Sequence, residues 1–301
     1  MPSLVSRIVP GYLRLARANR AFISAENARK HVRERTLRPR PYGPPRRLRA
    51  DVAISVSRDQ GWPVYTVVPR TGRVQGNLIY AHGGGWVNEI APQHWALAAE
   101  IAARAGTTVT VPIYPLVPFG TAEEVIAGMA DLVLANRSRY GTVCLGGDSA
   151  GGQIALSTAV VLRDEQQVTV PRTILISPAL DLSLSNPEMD AVQPSDPWLG
   201  KAGTRVFIEL WRGKLPLSDP RVSPLAADMR GLGPLTVFYG TRDIGYPDGL
   251  LLAEKARAAG VEVDFHEGDG LVHVYPLTPA PEGRVARGVV VERLRAALAE
   301  P

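Results

Sequence analysis

From about Asp51 onward, short apolar runs rich in β-branched residues alternate with longer stretches of helical periodicity. Strands that alternate with helices pair side by side through right-handed crossovers, and this gives a mostly parallel sheet with helices on both faces. The sequence therefore predicts the α/β class. The predicted strands cover residues 77–82, 108–113, 142–147, 172–177, 235–240 and 261–266, and the predicted helices cover residues 93–105, 122–138, 150–163, 247–259 and 284–299.

Two segments do not follow this alternation. Residues 3–35 carry apolar side chains near helical spacing with arginines on the other face, which predicts one amphipathic helix. Residues 183–215 interrupt the alternation and are rich in Pro, Ser and Asp. We expect both segments to form a helical cap over the sheet. The predicted division is an N-terminal cap segment at 1–48, a first core part at 49–182, a cap insertion at 183–215 and a second core part at 216–301.

The composition limits the class of protein. The 301 residues are 45% hydrophobic and 21% charged, and no apolar run approaches the roughly 20 residues that span a bilayer. Arginines interrupt the apolar residues of the N-terminus before a signal-peptide core could form. Cys144 is the single cysteine, and no Cys/His cluster has the spacing of metal ligands. We therefore expect a soluble, cytoplasmic protein without a bound metal.

Positive charge is concentrated in the first 50 residues. They hold 13 Lys and Arg against Glu26 and Glu34, whereas the remainder of the chain is net acidic. A basic segment is compatible with attraction to an anionic membrane surface or to nucleic acid, and equally with a solvated face. We favour the solvated face and expect no nucleic-acid partner. Weak membrane-surface association and a homodimer stay open.

The strongest local signal is the G-x-S-x-G sequence at residues 147–151, which lies directly between a predicted strand and a predicted helix. Small residues on both sides of the serine are typical of a nucleophile elbow, in which a strained turn projects the hydroxyl outward. The adjoining helix N-terminus favours developing negative charge. Ser149 is therefore the candidate nucleophile, against the alternative of a plain tight turn.

A second signal, His82-Gly83-Gly84-Gly85-Trp86, also follows a strand. Consecutive glycines cost backbone entropy and suit positions where amides must turn toward a bound group. Alone this motif is equally compatible with a flexible loop. Because it occurs together with the elbow, we interpret it as an oxyanion hole.

A nucleophilic serine needs a base, and the base needs an orienting carboxylate. In sheets that carry such a nucleophile elbow, both follow the serine along the chain. Asp243 lies just past a predicted strand, which is the expected place for the acid, while Asp248 falls in the next helix as a solvated first-turn residue. Asp269 lies too close to the histidine loop to be the preferred acid.

Two histidines come late enough to act as the base. His273 follows a loop past the last strand, whereas His266 alternates within that strand and is expected to face solvent or a covering helix. His273 is therefore the predicted base. Of the remaining candidates, His31 and His94 are interpreted as surface or helix-packing residues, and Cys144 as a buried core thiol.

The motifs together resemble those of the hormone-sensitive-lipase-like esterases of the α/β-hydrolase superfamily. They occur in the family's order over roughly residues 75–290: HGGGW, Y-P-L-V-P at 114–118, GDSAGG, D-P-R-V-S-P-L at 219–225, G-T-R-D at 240–243 and L-V-H-V at 271–274. The resemblance implies that the amides of Gly84, Gly85 and Ala150 form the oxyanion hole. One departure is Gly245, where similar sequences carry a larger apolar residue, and we expect it to loosen the loop of the acid.

The predicted function is hydrolysis of short- to medium-chain acyl esters by Ser149, His273 and Asp243, with a small-molecule ester as substrate and no cofactor. The expected pocket residues are Trp86 together with Trp198, Phe207 and Trp211 of the cap insertion.

An acetyl-hydrolase that removes O- or N-acetyl groups from a natural product is the alternative, because a triad does not separate esters from amides. A rival of another class is a membrane-surface or nucleic-acid binding protein that uses the basic N-terminal segment and keeps the fold without turnover.

Overall fold

A computed structural model describes residues 2–58 and 61–299. Within these residues, eight strands form one sheet in the order β1-β2-β4-β3-β5-β6-β7-β8. β1 and β2 are antiparallel to their neighbours, and the remaining pairs are parallel. The strands are Val52–Ser57 (β1), Val64–Pro69 (β2), Asn77–Ala81 (β3), Thr108–Pro112 (β4), Val143–Asp148 (β5), Thr173–Ile176 (β6), Leu235–Gly240 (β7) and Val263–Gly268 (β8).

Helices cover both faces of the sheet, as the alternation predicts. Their bounds are Leu4–Leu15 (α1), Ala25–Leu37 (α2), Pro92–Ile101 (α3), Ala122–Tyr140 (α4), Ala150–Gln166 (α5), Glu188–Val192 (α6), Lys201–Arg212 (α7), Tyr246–Ala258 (α8) and Pro281–Ala299 (α9). None of these helices is long and apolar enough to cross a membrane.

Strand side chains alternate between two cores, one on each face. On β3, Ile79 packs into the core that contains α4 and α5, whereas Leu78 and Tyr80 pack into the core that contains α3 and α9. On β5, Leu145 belongs to the first core and the buried thiol of Cys144 to the second. Because successive side chains of a strand point to opposite faces, a parallel sheet needs both sides covered.

Three expectations about secondary structure need correction. The helix predicted over residues 3–35 is two helices, α1 and α2, because Arg17 adopts a positive φ of 50° and Ser24 starts a new helix by accepting a hydrogen bond from the amide of Asn27. The predicted strands do not include β1 and β2, although both belong to the sheet. β8 begins at Val263, two residues later than predicted.

The two segments predicted to form a cap contact each other. α2 packs against α7, and the amide of Gly203 on α7 donates a hydrogen bond of 3.0 Å to the carbonyl of Phe22 just before α2. A Cβ at Gly203 would lie 2.3 Å from the carbonyl oxygen of Ala21, so only glycine allows this close approach. The contact fixes how the N-terminal segment lies on the cap insertion.

Candidate active site

Ser149 lies at the junction of β5 and α5 in a strained conformation, with φ 52° and ψ −118°. Neighbouring glycines make this turn possible. A Cβ at Gly147 would lie 2.3 Å from the carbonyl oxygen of Gly151, and a Cβ at Gly151 would lie 2.0 Å from the carbonyl oxygen of Ala81. The amide of Ser149 donates a 2.8 Å hydrogen bond to the carbonyl of Ile176 on β6. The structure thus has the geometry of a nucleophile elbow.

The structure brings Ser149, His273 and Asp243 together. His273 Nε2 lies 2.9 Å from Ser149 Oγ, and His273 Nδ1 lies 2.7 Å from Asp243 Oδ2. Asp243 follows β7 and His273 follows β8, so the carboxyl ends of parallel strands deliver all three side chains to one edge of the sheet. The distances fit a base that can take the serine proton while a carboxylate orients it.

Opposing effects set the protonation of His273. Burial lowers the pKa of His273, but the charge and hydrogen bond of Asp243 raise it, and the charges of Asp196 and Asp148 raise it further. The pKa of His273 therefore lies above its usual value. Three buried carboxylates thus stabilise the imidazolium that would form when the serine proton is taken.

The loop that carries Asp243 is held tightly, contrary to the expectation that Gly245 would loosen it. The amide of Gly245 donates a 2.9 Å hydrogen bond to Asp243 Oδ1. A Cβ at Gly245 would lie only 3.3 Å from Tyr239 Cε1, so a larger side chain there would press on the tyrosine ring.

The glycine-rich loop after β3 lies beside Ser149 in the same cavity. Gly84 and Gly85 have φ values of 124° and 61°, a region that favours glycine. Their amides donate no hydrogen bond to another residue in the described ranges. Together with Ala150 they line the cavity at Ser149. This arrangement can present N–H groups to an oxyanion, although the assignment of these three amides stays a prediction.

A family model described as alpha/beta hydrolase fold matches residues 78–277. The chain belongs to the α/β-hydrolase family. The chain is 27% identical to an esterase from the bacterial hormone-sensitive lipase family, with a TM-score of 0.82 over 99% of this chain and 100% of that one. The resemblance predicted from the sequence motifs is thereby confirmed.

Curated relatives extend the comparison. The chain is 29% identical to an acetyl-hydrolase of Streptomyces hygroscopicus, over 85% of this chain and 91% of the relative. It is 31% identical to a triacylglycerol lipase of Mycobacterium tuberculosis over 62% of this chain, but that match spans only 39% of the lipase.

A cavity of about 780 Å³ opens in front of Ser149, and its walls are largely apolar. Three of the four expected pocket residues, Trp86, Trp198 and Phe207, line it. Trp211 does not, because it lies fully buried behind Trp86, with the two ring centroids 5.8 Å apart. The expectation that Trp211 lines the pocket is therefore wrong.

The tryptophan pair is fixed by a buried glutamine. The indole nitrogens of Trp86 and Trp211 donate hydrogen bonds of 3.1 Å and 3.0 Å to the same oxygen, Gln153 Oε1. Gln153 lies on α5, one turn beyond Ser149. This network connects the wall of the cavity, α7 and the helix that starts at the candidate nucleophile.

Asp148, which precedes the candidate nucleophile, was not identified from the sequence. Its carboxylate accepts hydrogen bonds of 2.5 Å from the Tyr80 hydroxyl and 2.9 Å from the amide of Gly83. Burial raises the pKa of Asp148, but the contact with His94 and these hydrogen bonds outweigh it, so the pKa lies below its usual value. A Cβ at Gly83 would lie 2.1 Å from Asp148 Oδ2. Asp148 therefore ties the glycine-rich loop to the elbow.

The sequence interpretation of His94 as a surface or helix-packing residue needs correction. It is buried, and Nε2 lies 3.1 Å from Asp148 Oδ2. Because Nδ1 accepts a 2.9 Å hydrogen bond from the amide of Ala91, Nε2 must be the donor to Asp148. His31 contacts the same region from α2 through a 2.7 Å hydrogen bond with Asn88 Oδ1.

Asp248 was expected to be solvated, but it is buried and lines the cavity. It accepts a 2.8 Å hydrogen bond from the side chain of Asn186 in the cap insertion. Burial raises the pKa of Asp248 to about 6. His273 is hydrogen-bonded to Asp243 and not to Asp248.

Asp196, in the cap insertion, is the second carboxylate that sequence reasoning missed. Its Oδ1 accepts the amides of Trp198 and Leu199 at 2.8 Å and 3.0 Å, and its Oδ2 accepts the amide of Ile244 at 2.9 Å. Burial and the charge of Asp243 raise the pKa of Asp196 to about 6, although nearby His273 opposes this. Since Ile244 directly follows Asp243, Asp196 connects the cap insertion to the loop of the candidate acid.

Proposed function

We propose that this chain is a serine carboxylesterase that hydrolyses short- to medium-chain acyl esters through Ser149, His273 and Asp243. The observation that carries the proposal is the continuous hydrogen-bonded chain from Ser149 Oγ through the imidazole to the Asp243 carboxylate, at the base of a large apolar cavity.

In the first half-reaction His273 Nε2 takes the proton of Ser149 as Oγ attacks the ester carbonyl carbon. The carbonyl oxygen becomes an oxyanion, which the amides of Gly84, Gly85 and Ala150 would stabilise. Asp243 holds the imidazole in the tautomer that leaves Nε2 free to accept the proton. Collapse of the intermediate expels the alcohol, which takes the proton from His273 and leaves an acyl group on Ser149.

In the second half-reaction a water molecule replaces the alcohol. His273 takes a proton from the water as its oxygen attacks the acyl carbon, and the intermediate collapses to a carboxylic acid with the proton returned to Ser149 Oγ. The sum is one ester and one water converted to one acid and one alcohol. The steps use the ester, one water and the groups of the chain named above.

The decisive experiment combines active-site labelling with turnover. We expect the wild type to react with a fluorophosphonate and to hydrolyse p-nitrophenyl butyrate, while Ser149→Ala neither labels nor turns over, with kcat lower by about 10⁴- to 10⁶-fold. Ser138→Ala, on the exposed surface of α4, is the matched control. Labelling and turnover that survive in Ser149→Ala within tenfold would exclude Ser149 as the nucleophile.

A second candidate, an acetyl-hydrolase that acts on a bulky alcohol or amine, is favoured by the cavity volume of about 780 Å³. Pockets of this size enclose ligands as large as a drug molecule, well beyond one short acyl chain. The similarity to the Streptomyces hygroscopicus acetyl-hydrolase supports the same candidate. A matched acetate ester and acetamide of one large aromatic scaffold, assayed side by side with p-nitrophenyl esters of increasing chain length, discriminate the two.

A further inference from the structure

Helix α1 has its apolar side chains on the outside of the molecule. Leu4 and Leu15 are 72% and 85% exposed, and Ile8 and Tyr12 continue the same stripe between them. A helix of a globular protein normally turns such a stripe toward the core. Exposed apolar patches of this kind mark sites of interaction.

Polar contacts hold α1 in this orientation. The hydroxyl groups of Ser3 and Ser6 each donate a 2.8 Å hydrogen bond to the Glu282 carboxylate at the start of α9. Ser6 and Pro10 are the buried residues of the helix. The face toward the protein is thus fixed by hydrogen bonds, and the apolar face is left without a partner within the described residues.

The charged residues of α1 and of the turn that follows it all have one sign. Arg7 and Arg14 are exposed on α1, and Arg17 and Arg20 are exposed in the turn that follows. None of the four takes part in an ion pair found among the described residues. No Asp or Glu precedes Glu26 in the sequence. The surface therefore complements an anion.

The same helix borders the mouth of the cavity. Ile8, Val9, Tyr12 and Leu13 of α1 are among the residues that line the cavity in front of Ser149. The exposed stripe and the cavity wall therefore share Ile8 and Tyr12. Any surface that covers the stripe also lies at the entrance to the cavity.

We propose that α1 docks on an anionic lipid surface, with the apolar stripe in the interface and the arginines on lipid phosphates. This is the arrangement of interfacial amphipathic helices, whose apolar face inserts while basic residues contact anionic headgroups. Docking brings the cavity mouth to esters dissolved in the lipid, and this consequence rests on the proposed esterase function. The docking itself does not.

A second copy of the chain fits the same surface less well. A symmetric contact through α1 would bring the arginines of both copies toward one another, because like surfaces meet in a twofold interface. Nucleic acid would contact the arginines but would leave Leu4, Ile8 and Leu15 in water. An anionic lipid surface satisfies both the charge and the apolar stripe.

The test is cosedimentation of the full chain with vesicles of equal phosphatidylglycerol and phosphatidylcholine, beside vesicles of phosphatidylcholine alone. We expect at least about tenfold stronger binding to the anionic vesicles, weakened by salt. Leu4→Glu/Leu15→Glu should weaken binding by about tenfold or more, because both side chains would have to leave the interface. Arg7→Gln/Arg14→Gln should weaken it by about fivefold per arginine.

The controls separate this proposal from other outcomes. Phe119→Glu changes an equally exposed apolar residue outside α1 and should bind as the wild type does. Leu4→Glu/Leu15→Glu should keep full activity on soluble p-nitrophenyl acetate, since neither residue lines the cavity. Ser149→Ala should bind vesicles normally, so a failure of the esterase proposal is seen separately from a failure of docking.

Three results would overturn the proposal: no binding to anionic vesicles, equal binding to both vesicle types, or a dimer in light scattering that Leu4→Glu/Leu15→Glu converts to monomer.

Discussion

Replacing Asp196 with asparagine should weaken the connection between the cap insertion and the candidate triad. The asparagine oxygen can still accept the amides of Trp198 and Leu199, which both bond to Oδ1. The amide nitrogen would then replace Oδ2 and face the N–H of Ile244, so two donors would oppose each other. A buried donor left unsatisfied costs about 1–3 kcal/mol. We expect the free energy of unfolding to fall by about this amount.

The same substitution should change catalysis in two ways. Ile244 is bonded in the chain to Asp243, so a displaced loop moves the carboxylate that orients His273. If all of the 1–3 kcal/mol appeared in the barrier, kcat/KM would fall by about 5- to 150-fold, since 1.36 kcal/mol is tenfold in rate. In addition, the lost charge no longer raises the pKa of His273. Because His273 must be neutral to act as the base, the acid limb of the pH profile should move to lower pH.

The assay is kcat/KM for a p-nitrophenyl ester between about pH 5 and 9, combined with urea unfolding. Asp190→Asn is the matched control, because Asp190 is an exposed residue of the same insertion that pairs with Lys201. The acid limb is the readout that a merely structural role would not move. A less stable variant whose acid limb stays in place would show that Asp196 acts only through folding. Unchanged stability together with an unchanged profile would refute the reasoning altogether.

Four further substitutions test the site. Asp243→Asn should lower kcat by about 10⁴-fold by imposing the wrong histidine tautomer, whereas Asp248→Asn should leave kcat near wild type; the opposite ranking would make Asp248 the acid. Phe207→Ala should move the preferred p-nitrophenyl ester toward longer acyl chains because Phe207 lines the cavity. Trp211→Ala should instead lower the free energy of unfolding by about 3–5 kcal/mol, as removal of a buried aromatic does; a shifted chain-length optimum in this variant would contradict its placement behind Trp86.

The sequence predicted the sheet and the meeting of Ser149, Asp243 and His273 for the same physical reason. Strand alternation specifies which segments are buried side by side, and the ends of parallel strands meet at one edge. Residues that directly follow those strands are therefore placed by the topology alone. Their roles in catalysis stay a prediction that the mutants above address.

The pattern carried less information where a local turn decides the structure. Arg17 takes a positive φ although no glycine or proline between positions 12 and 38 signals a break, so residues 3–35 are predicted as one helix. The capping serine at position 24 was the available signal, since a serine that caps a helix favours a start there. On α1 the apolar spacing correctly predicted a helix, but it did not reveal that the apolar face points outward.

The contacts of the buried carboxylates Asp148 and Asp196 could not be predicted from the sequence for a different reason. Asp148 contacts His94 across 54 positions, and Asp196 contacts Ile244 across 48. Periodicity describes neighbours along one element and contains no information about such pairs. An acidic residue within G-x-S-x-G was a usable hint, because a carboxylate at a buried strand end needs donors.

The carboxylates of Asp148 and Asp196 explain how the buried imidazole of His273 can accept a proton. Burial alone would lower the pKa of His273 and would make the imidazolium costly in the transition state. Asp243 offsets this directly, Asp148 acts from the core under the glycine-rich loop, and Asp196 acts from the cap insertion. The insertion therefore contributes charge to the candidate base as well as a wall to the cavity. It follows that variation in the cap should change the pH dependence of turnover even where the residues of the cavity wall are kept.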